Sequence, residues 1–125
     1  MSSGKSRSYV LRAVLLLGIF SSYDAAAALD LKGYRLGKTI PETKTEIESY
    51  VNGLRDGVIL FDAYRHRYEK VKEKFCIDGK NLNSEKTIAI LDLEIADPTS
   101  GKSYPDDIPI VFVLIKALER FSSCK

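Results

Sequence analysis

The stretch PETKTEIESYVNGLRDGVILFDAYRHRYEKVKEKF, residues 41–75, decides the fold. Ile47, Leu54, Phe61, Tyr68 and Phe75 recur every seven residues, and Tyr50, Gly57, Tyr64 and Val71 fall three residues after the first four. That spacing draws one apolar seam along an α-helix that opens at Pro41; a strand would need period two, which the stretch lacks. The run is longer than the usual helix of about 8–20 residues, which predicts a break or kink around Tyr64–Tyr68. Gly53 and Gly57 lie four apart within it, each costing ~1 kcal/mol of helix propensity. Close approach of another backbone would offset that cost.

Downstream, Cys76 to Lys80 reads as a turn, with Gly79 as its left-handed residue. Asn83 is a good N-cap for a second helix from Ser84 to about Ala96, with Ile88, Leu91 and Ile95 on its buried stripe. Asp97-Pro98 stops it, because the residue before proline is pushed out of helical geometry. A polar loop, Thr99 to Asp106, leads to Asp107, the expected cap of a last helix with Pro109 in its first turn. From Ile108 to Leu118 that helix is apolar on nearly every side and is expected at the centre of a bundle. Upstream, Leu29 to Thr39 is short, mixed and punctuated by Gly33 and Gly37, so it is either a loose arm or one brief helix. No β-sheet is expected. The fold class is all-α, a small bundle of three to four helices.

Residues 1–28 read as a cleaved secretory signal peptide. Lys5, Arg7 and Arg12 form a basic start, Ala13 to Phe20 an apolar run, and Ala25 to Ala28 a small-residue exit. The apolar run is too short for a membrane anchor, which needs ~20 residues, so an exported product with no anchor after cleavage is expected. Residues 29–125 are then a single helical domain. Of the chain's 19 Lys+Arg and 17 Asp+Glu, the leader carries three cations and one anion (Asp24), so 29–125 is formally neutral. A neutral domain has no global field to hold nucleic acid or an anionic membrane, and neither partner is expected.

Cys76 and Cys124 are the only cysteines. In an exported chain an even pair is most simply one disulfide. The alternative is two free thiols, one of them catalytic, but the single His66 has no motif linking it to either. Other catalytic signatures fail as well. Gly101-Lys102-Ser103 lacks the glycine a phosphate loop needs at position 96, where Ala96 stands. HExxH, CxxC and GxSxG are absent from the sequence. One histidine does not make the usual zinc site, so no metal, cofactor or catalytic residue is expected. The carboxylates read as scattered surface charges. Asp92, Glu94 and Asp97 crowd a helix C-terminus, where the macrodipole disfavours each anion by ~0.3–1 kcal/mol.

The segment Tyr50-Val51-Asn52-Gly53-Leu54-Arg55-Asp56-Gly57 resembles the "Y-I-x-G-x-x-x-G" helix of the Rap/Tai-type immunity proteins of type VI secretion. Phe75-Cys76-Ile77 is similar to their "C-I-P" turn, with Asp78 where the pattern has proline. Leu82-Asn83-Ser84, Asp97-Pro98 and Lys116 to Cys124 resemble their "V-T … N-P … A-L … F-P-C" ending, with Phe121-Ser122-Ser123-Cys124 in place of the compact F-P-C. Many members carry a further cysteine pair toward the N-terminus, which this chain lacks. The resemblance implies a small exported helical protein, often a homodimer, that binds a peptidoglycan-cleaving amidase effector and covers its catalytic cleft. It implies no catalytic residues of its own.

An inhibitor of that kind needs a rigid scaffold and a projecting anchor ringed by polar groups. Tyr104 in the Thr99–Asp106 loop is the candidate anchor, with Lys102, Asp106 and Asp107 as its rim. The basic-aromatic face of Tyr64, Arg65, Arg67 and Tyr68 is the second candidate, suited to dimerisation. A periplasmic chaperone-like or stress-response helical protein is the alternative from a different functional class.

Overall fold

The structure, a computed structural model, describes residues 28–77 and 82–124. The signal-peptide reading of residues 1–28, apart from Ala28, and the turn at Asp78 and Gly79 lie outside the described residues. Among the described residues four helices follow in chain order: α1 (Leu31–Thr39), α2 (Pro41–Tyr68), α3 (Ser84–Ala96) and α4 (Ile110–Ser122). Among the described residues, extended pairing is limited to two isolated bridges, Asp30 with Pro109 and Phe75 with Ser123. A disulfide joins Cys76 to Cys124, with the Cα atoms 4.8 Å apart. The all-α bundle closed by one bridge is therefore the architecture of this chain.

Leu29 to Thr39 is the brief helix, not the loose arm, and the reason lies at its start. The Asp30 side chain caps α1 by accepting from Gly33 N at 2.7 Å. Leu31 N and Lys32 N donate to the carbonyls of Ile108 and Asp106, both at 3.0 Å. Every orphan N–H of the first turn thus has an acceptor. The exchange is reciprocal, because Ile110 N, the first donor of α4, reaches Leu29 O at 2.8 Å. Asp107 consequently does not cap α4 as the sequence suggests; Pro109 occupies the N-cap position and makes no side-chain cap bond. Leu29, just ahead of α1, supplies the acceptor instead.

Gly37 lies where α1 meets α2. A Cβ built there would sit 2.6 Å from Cγ1 of Ile47, so the two helices approach as closely as they do because that side chain is missing. Gly37→Val is expected to cost about 2 kcal/mol by overpacking. Chemical denaturation should show part of that loss recovered in the Gly37→Val/Ile47→Ala double variant. Strict additivity of the two changes would mean that they do not meet.

Helix α3 has the expected bounds, and Asn83 Oδ1 accepts from Lys86 N at 2.8 Å, as an N-cap should. Its buried face is Thr87, Ile88, Leu91 and Glu94, with Ile95 only half-buried. Helix α4 buries Ile110, Val113, Leu114, Ala117 and Leu118. It is buried on one face only, since Phe112 stands 55% exposed, and the expectation of a helix enclosed on every side is corrected.

The seam of α2 also needs correction. Its buried line is Ile47, Val51, Leu54 and Val58, of which Val51 is fully enclosed. Tyr50, Gly57, Phe61, Tyr64 and Tyr68, read from the sequence as the core side, face outward. Two apolar stripes lie side by side on this helix, and the heptad reading merged them. Of the break or kink expected at Tyr64–Tyr68, the break is what occurs. The helix stops at Tyr68, where Lys70 takes a left-handed φ of 57°. The following chain returns along α2, and Asp62 accepts from Lys74 N and Phe75 N, the latter at 3.0 Å. Phe75 is therefore a buried plug beside the disulfide and not a helical residue.

Candidate functional site

The acidic end of α3, which the sequence leaves open as either solvated surface charge or a protein-contact surface, is a constructed network. Glu94 is 0% exposed. Its carboxylate accepts from Thr99 N, Thr99 Oγ1, Tyr104 OH and Arg120 NH1, at 2.8, 2.8, 2.7 and 3.2 Å. Burial alone pushes this carboxyl up, but the combined donors from Tyr104, Thr99 and Arg120 outweigh it and hold the group below its ordinary value. Arg120 also reaches Asp97, through the carbonyl at 2.7 Å and the side chain at 3.3 Å. Asp92 accepts from Tyr34 OH at 2.6 Å and pairs with Lys38. All three carboxylates thus have donors from other parts of the chain, which offset the unfavourable dipole.

This network fixes the loop between α3 and α4. Glu94 holds its start through Thr99 and its middle through Tyr104, while Gly101, at φ 76°, turns back so that its N–H meets Pro98 O at 2.9 Å. Tyr104 is half-buried against the core with its hydroxyl on Glu94. Burial and then the neighbouring carboxylate push that hydroxyl up to about 12. Its ring and hydroxyl therefore face inward and position the loop. Lys102, Asp106 and Asp107 are exposed on it, Asp106 meeting Arg35 at 3.2 Å.

The second candidate set is a separate patch. Tyr64 and Tyr68 pack with ring centroids 5.0 Å apart, and the Arg67 guanidinium lies 5.5 Å from the Tyr68 centroid. Arg65 pairs with Glu69 one turn on. No hydrogen bond or ion pair among the described residues joins this patch to the loop. His66 bonds the Val71 carbonyl through Nδ1 at 3.0 Å, which places its proton there. The only group of potential metal ligands among the described residues is Glu73 with Cys76 and Cys124, and its two sulfurs are bonded to each other.

One surface was missed at the sequence level. Tyr50, Gly53, Gly57 and Phe61 of α2, with Val111 of α4, line an open apolar groove. A Cβ built on either glycine would meet nothing within 4 Å. The close backbone partner expected for these glycines does not come from within the described chain. The signal lies in the aromatic residues that recur with the glycines, which the heptad spacing places on the core side.

Comparison with protein-family models, with curated proteins and with solved structures gave no match.

The titrating groups set a window of stability. Glu94 and Glu119 are lowered in the fold, the latter chiefly by Lys74, so their contributions are complete above the ordinary value of 4.5 and are lost as pH falls through the lowered values. Tyr104 is raised, so its contribution is complete below 10.0 and is lost as pH rises through about 12. Thermal melts across pH should show a plateau flanked by an acid limb that opens below about pH 4.5. In Glu94→Gln that limb should be shallower. An unchanged limb would place the acid sensitivity elsewhere.

Proposed function

We propose that this chain is an exported immunity-type binding protein that inhibits a peptidoglycan-cleaving amidase effector of type VI secretion in the periplasm by covering its catalytic cleft. The observation that carries this reading is the rigid loop between α3 and α4, presented on a disulfide-closed body. A contact element immobilised before it meets its target spends less binding energy on ordering. The buried carboxylate beneath the loop is saturated with donors, which suits a scaffold and not a proton-transfer group. The resemblance of the segments between Tyr50 and Cys124 to the Rap/Tai-type proteins supplies the partner class.

In this reading Lys102, Asp106 and Asp107 touch the effector, and Tyr104 acts through them by holding the loop. The test is co-expression in the periplasm with a cell-wall amidase effector, followed by calorimetry on the purified pair. Protection of viable cells and a defined stoichiometry are expected. Lys102→Glu combined with Asp107→Lys should weaken binding at least about tenfold, or ~1.4 kcal/mol. Undiminished affinity would remove the loop from the interface, and failure to protect against any amidase effector would remove the function.

One observation favours a second reading, a periplasmic chaperone-like protein: the apolar stripe of α2 could hold unfolded clients. That reading requires the protein to suppress aggregation of a reduced client in a manner abolished by Phe61→Ser.

A further inference from the structure

We infer that the carboxy-terminal end of α2 and the turn after it dock on an anionic phospholipid surface. Arg67, Lys70 and Lys72 meet the phosphate headgroups, while Leu60, Tyr64 and Tyr68 enter the headgroup layer. The inference does not depend on the effector and stands or falls separately from it.

The turn after α2 assembles the cations. Glu69 N and Val71 N both donate to Arg65 O, at 3.0 and 3.4 Å, and His66 closes the turn on Val71 O. Lys70 takes the left-handed φ of 57° that this path requires, at a position where glycine would be the easier residue. Arg67, Lys70 and Lys72 thereby line one open hollow of about 650 Å³ with His66 and Val71, and its described lining holds no carboxylate. Among the described residues none of the three cations forms an ion pair. The nearby carboxylates are directed elsewhere. Asp62 holds Lys74 N and Phe75 N, Glu69 pairs with Arg65, and Glu73 lies within 4.8 Å of the disulfide sulfurs.

The apolar half of the site adjoins these cations. Leu60, Tyr64 and Arg67 follow one another at helical spacings of four and three, on one side of α2. Tyr64 and Tyr68 pack together, and the Arg67 guanidinium lies against the Tyr68 ring. Leu60, Tyr64 and Tyr68 are 70%, 52% and 63% exposed. The helix dipole accounts for cations in the last turn, but Lys70 and Lys72 lie past the end of α2, and the exposed rings gain nothing from it. Cations beside exposed leucine and aromatic side chains are what an interfacial helix presents to lipid. Tyrosine suits the headgroup level, with one end apolar and the other wet. Lys and Arg reach phosphate while their stems stay on apolar surface.

The formal neutrality of 29–125 does not oppose this docking, because the charges of α2 are segregated. Glu42 and Glu46 lie at its start, with Glu46 about 30 Å along the axis from Arg67. That is several Debye lengths at physiological ionic strength. An anionic surface repels the acidic end and draws the basic one, so α2 docks tilted, carboxy-terminal end down.

Vesicles of equal parts phosphatidylglycerol and phosphatidylcholine should sediment the exported, oxidised protein, and phosphatidylcholine vesicles should not. Arg67→Glu/Lys70→Glu should lower the partition coefficient at least about tenfold, at an unchanged melting temperature. The chain has no tryptophan, so Tyr68→Trp and Tyr50→Trp each place a single reporter on the outward stripe. On the charged vesicles Tyr68→Trp emission should shift to the blue and Tyr50→Trp emission should not. Equal binding to both vesicle types overturns the inference, as does indifference to the double charge reversal. So does a Tyr68→Trp reporter that does not shift, or a shift from both reporters. Displacement by inorganic phosphate beyond that by sodium chloride of equal ionic strength would make the hollow a free-anion site and also overturns it. Duplex DNA bound as tightly as the charged vesicles would do the same.

Discussion

Replacing Cys76 and Cys124 together by serine is expected to lower stability by about 4 kcal/mol, the chain-entropy value for a loop of this size. The bridge spans a sequence separation of 48. Against the ~5–15 kcal/mol typical of a domain this is a large fraction. In a body of this size it corresponds to a fall in melting temperature of about 20 °C. The clasp has other members. Cys76 N donates to Ser122 O at 2.9 Å and Cys124 N to Lys74 O at 3.1 Å, with Phe75 buried between α2 and α4. These bonds persist when the sulfurs are gone, so the variant should still fold, with the last turn of α4 fraying first. Cys76 is exposed, and a mild reductant should reproduce the loss in the unaltered protein. A fall of only a few degrees under both treatments would mean that the peptide bonds and Phe75 hold the clasp unaided.

The second large effect is expected at Glu94. Glu94→Ala removes an acceptor for four donors at once, leaving the half-buried Tyr104 OH without a partner and freeing Thr99. Removing one side of a buried charged network costs ~3–5 kcal/mol. Arg120 is 31% exposed on its side chain and can turn to water, which favours the lower end, about 3 kcal/mol. Amide exchange should separate this variant from an ordinary core deletion. Protection at Thr99 and Gly101 should vanish while the core of α4 stays protected. Loss confined to global unfolding would show that the loop does not depend on the carboxylate.

Much of the bundle was legible because its punctuation is local. Asn83 before Ser84 and Asp97 before Pro98 mark the ends of α3 within a few residues, and the disulfide joins the only two cysteines of the sequence. Three features were not legible, each for a physical reason. On α2 the stripe through Val51 and the stripe through Phe61 are both apolar, and periodicity alone does not say which one meets the core. At Glu94 the donors lie 5, 10 and 26 residues away, beyond any helical spacing. Nothing in the sequence distinguishes this carboxylate from Asp92 two residues earlier. The break expected near Tyr68 is there, but Phe75 leaves the helical seam because Asp62 recruits the backbone of Lys74 and Phe75, a contact across a turn that no propensity encodes. The candidate loop was found by its composition. Tyr104's inward aim was not, because its direction is set by the carboxylate that the sequence left among the surface charges.

The mutual capping of α1 and α4 bears on how the molecule is made. During vectorial synthesis Leu29 to Lys32 emerge early, yet the carbonyls and amide that complete them belong to Asp106, Ile108 and Ile110. The sulfur that closes the other end belongs to Cys124. Helix α1 must therefore wait, half-finished, until α4 has been made. Closing contacts so distant along the chain slows folding. Maturation is thus a single late event, and a product truncated before the last helix would be left open at both seams.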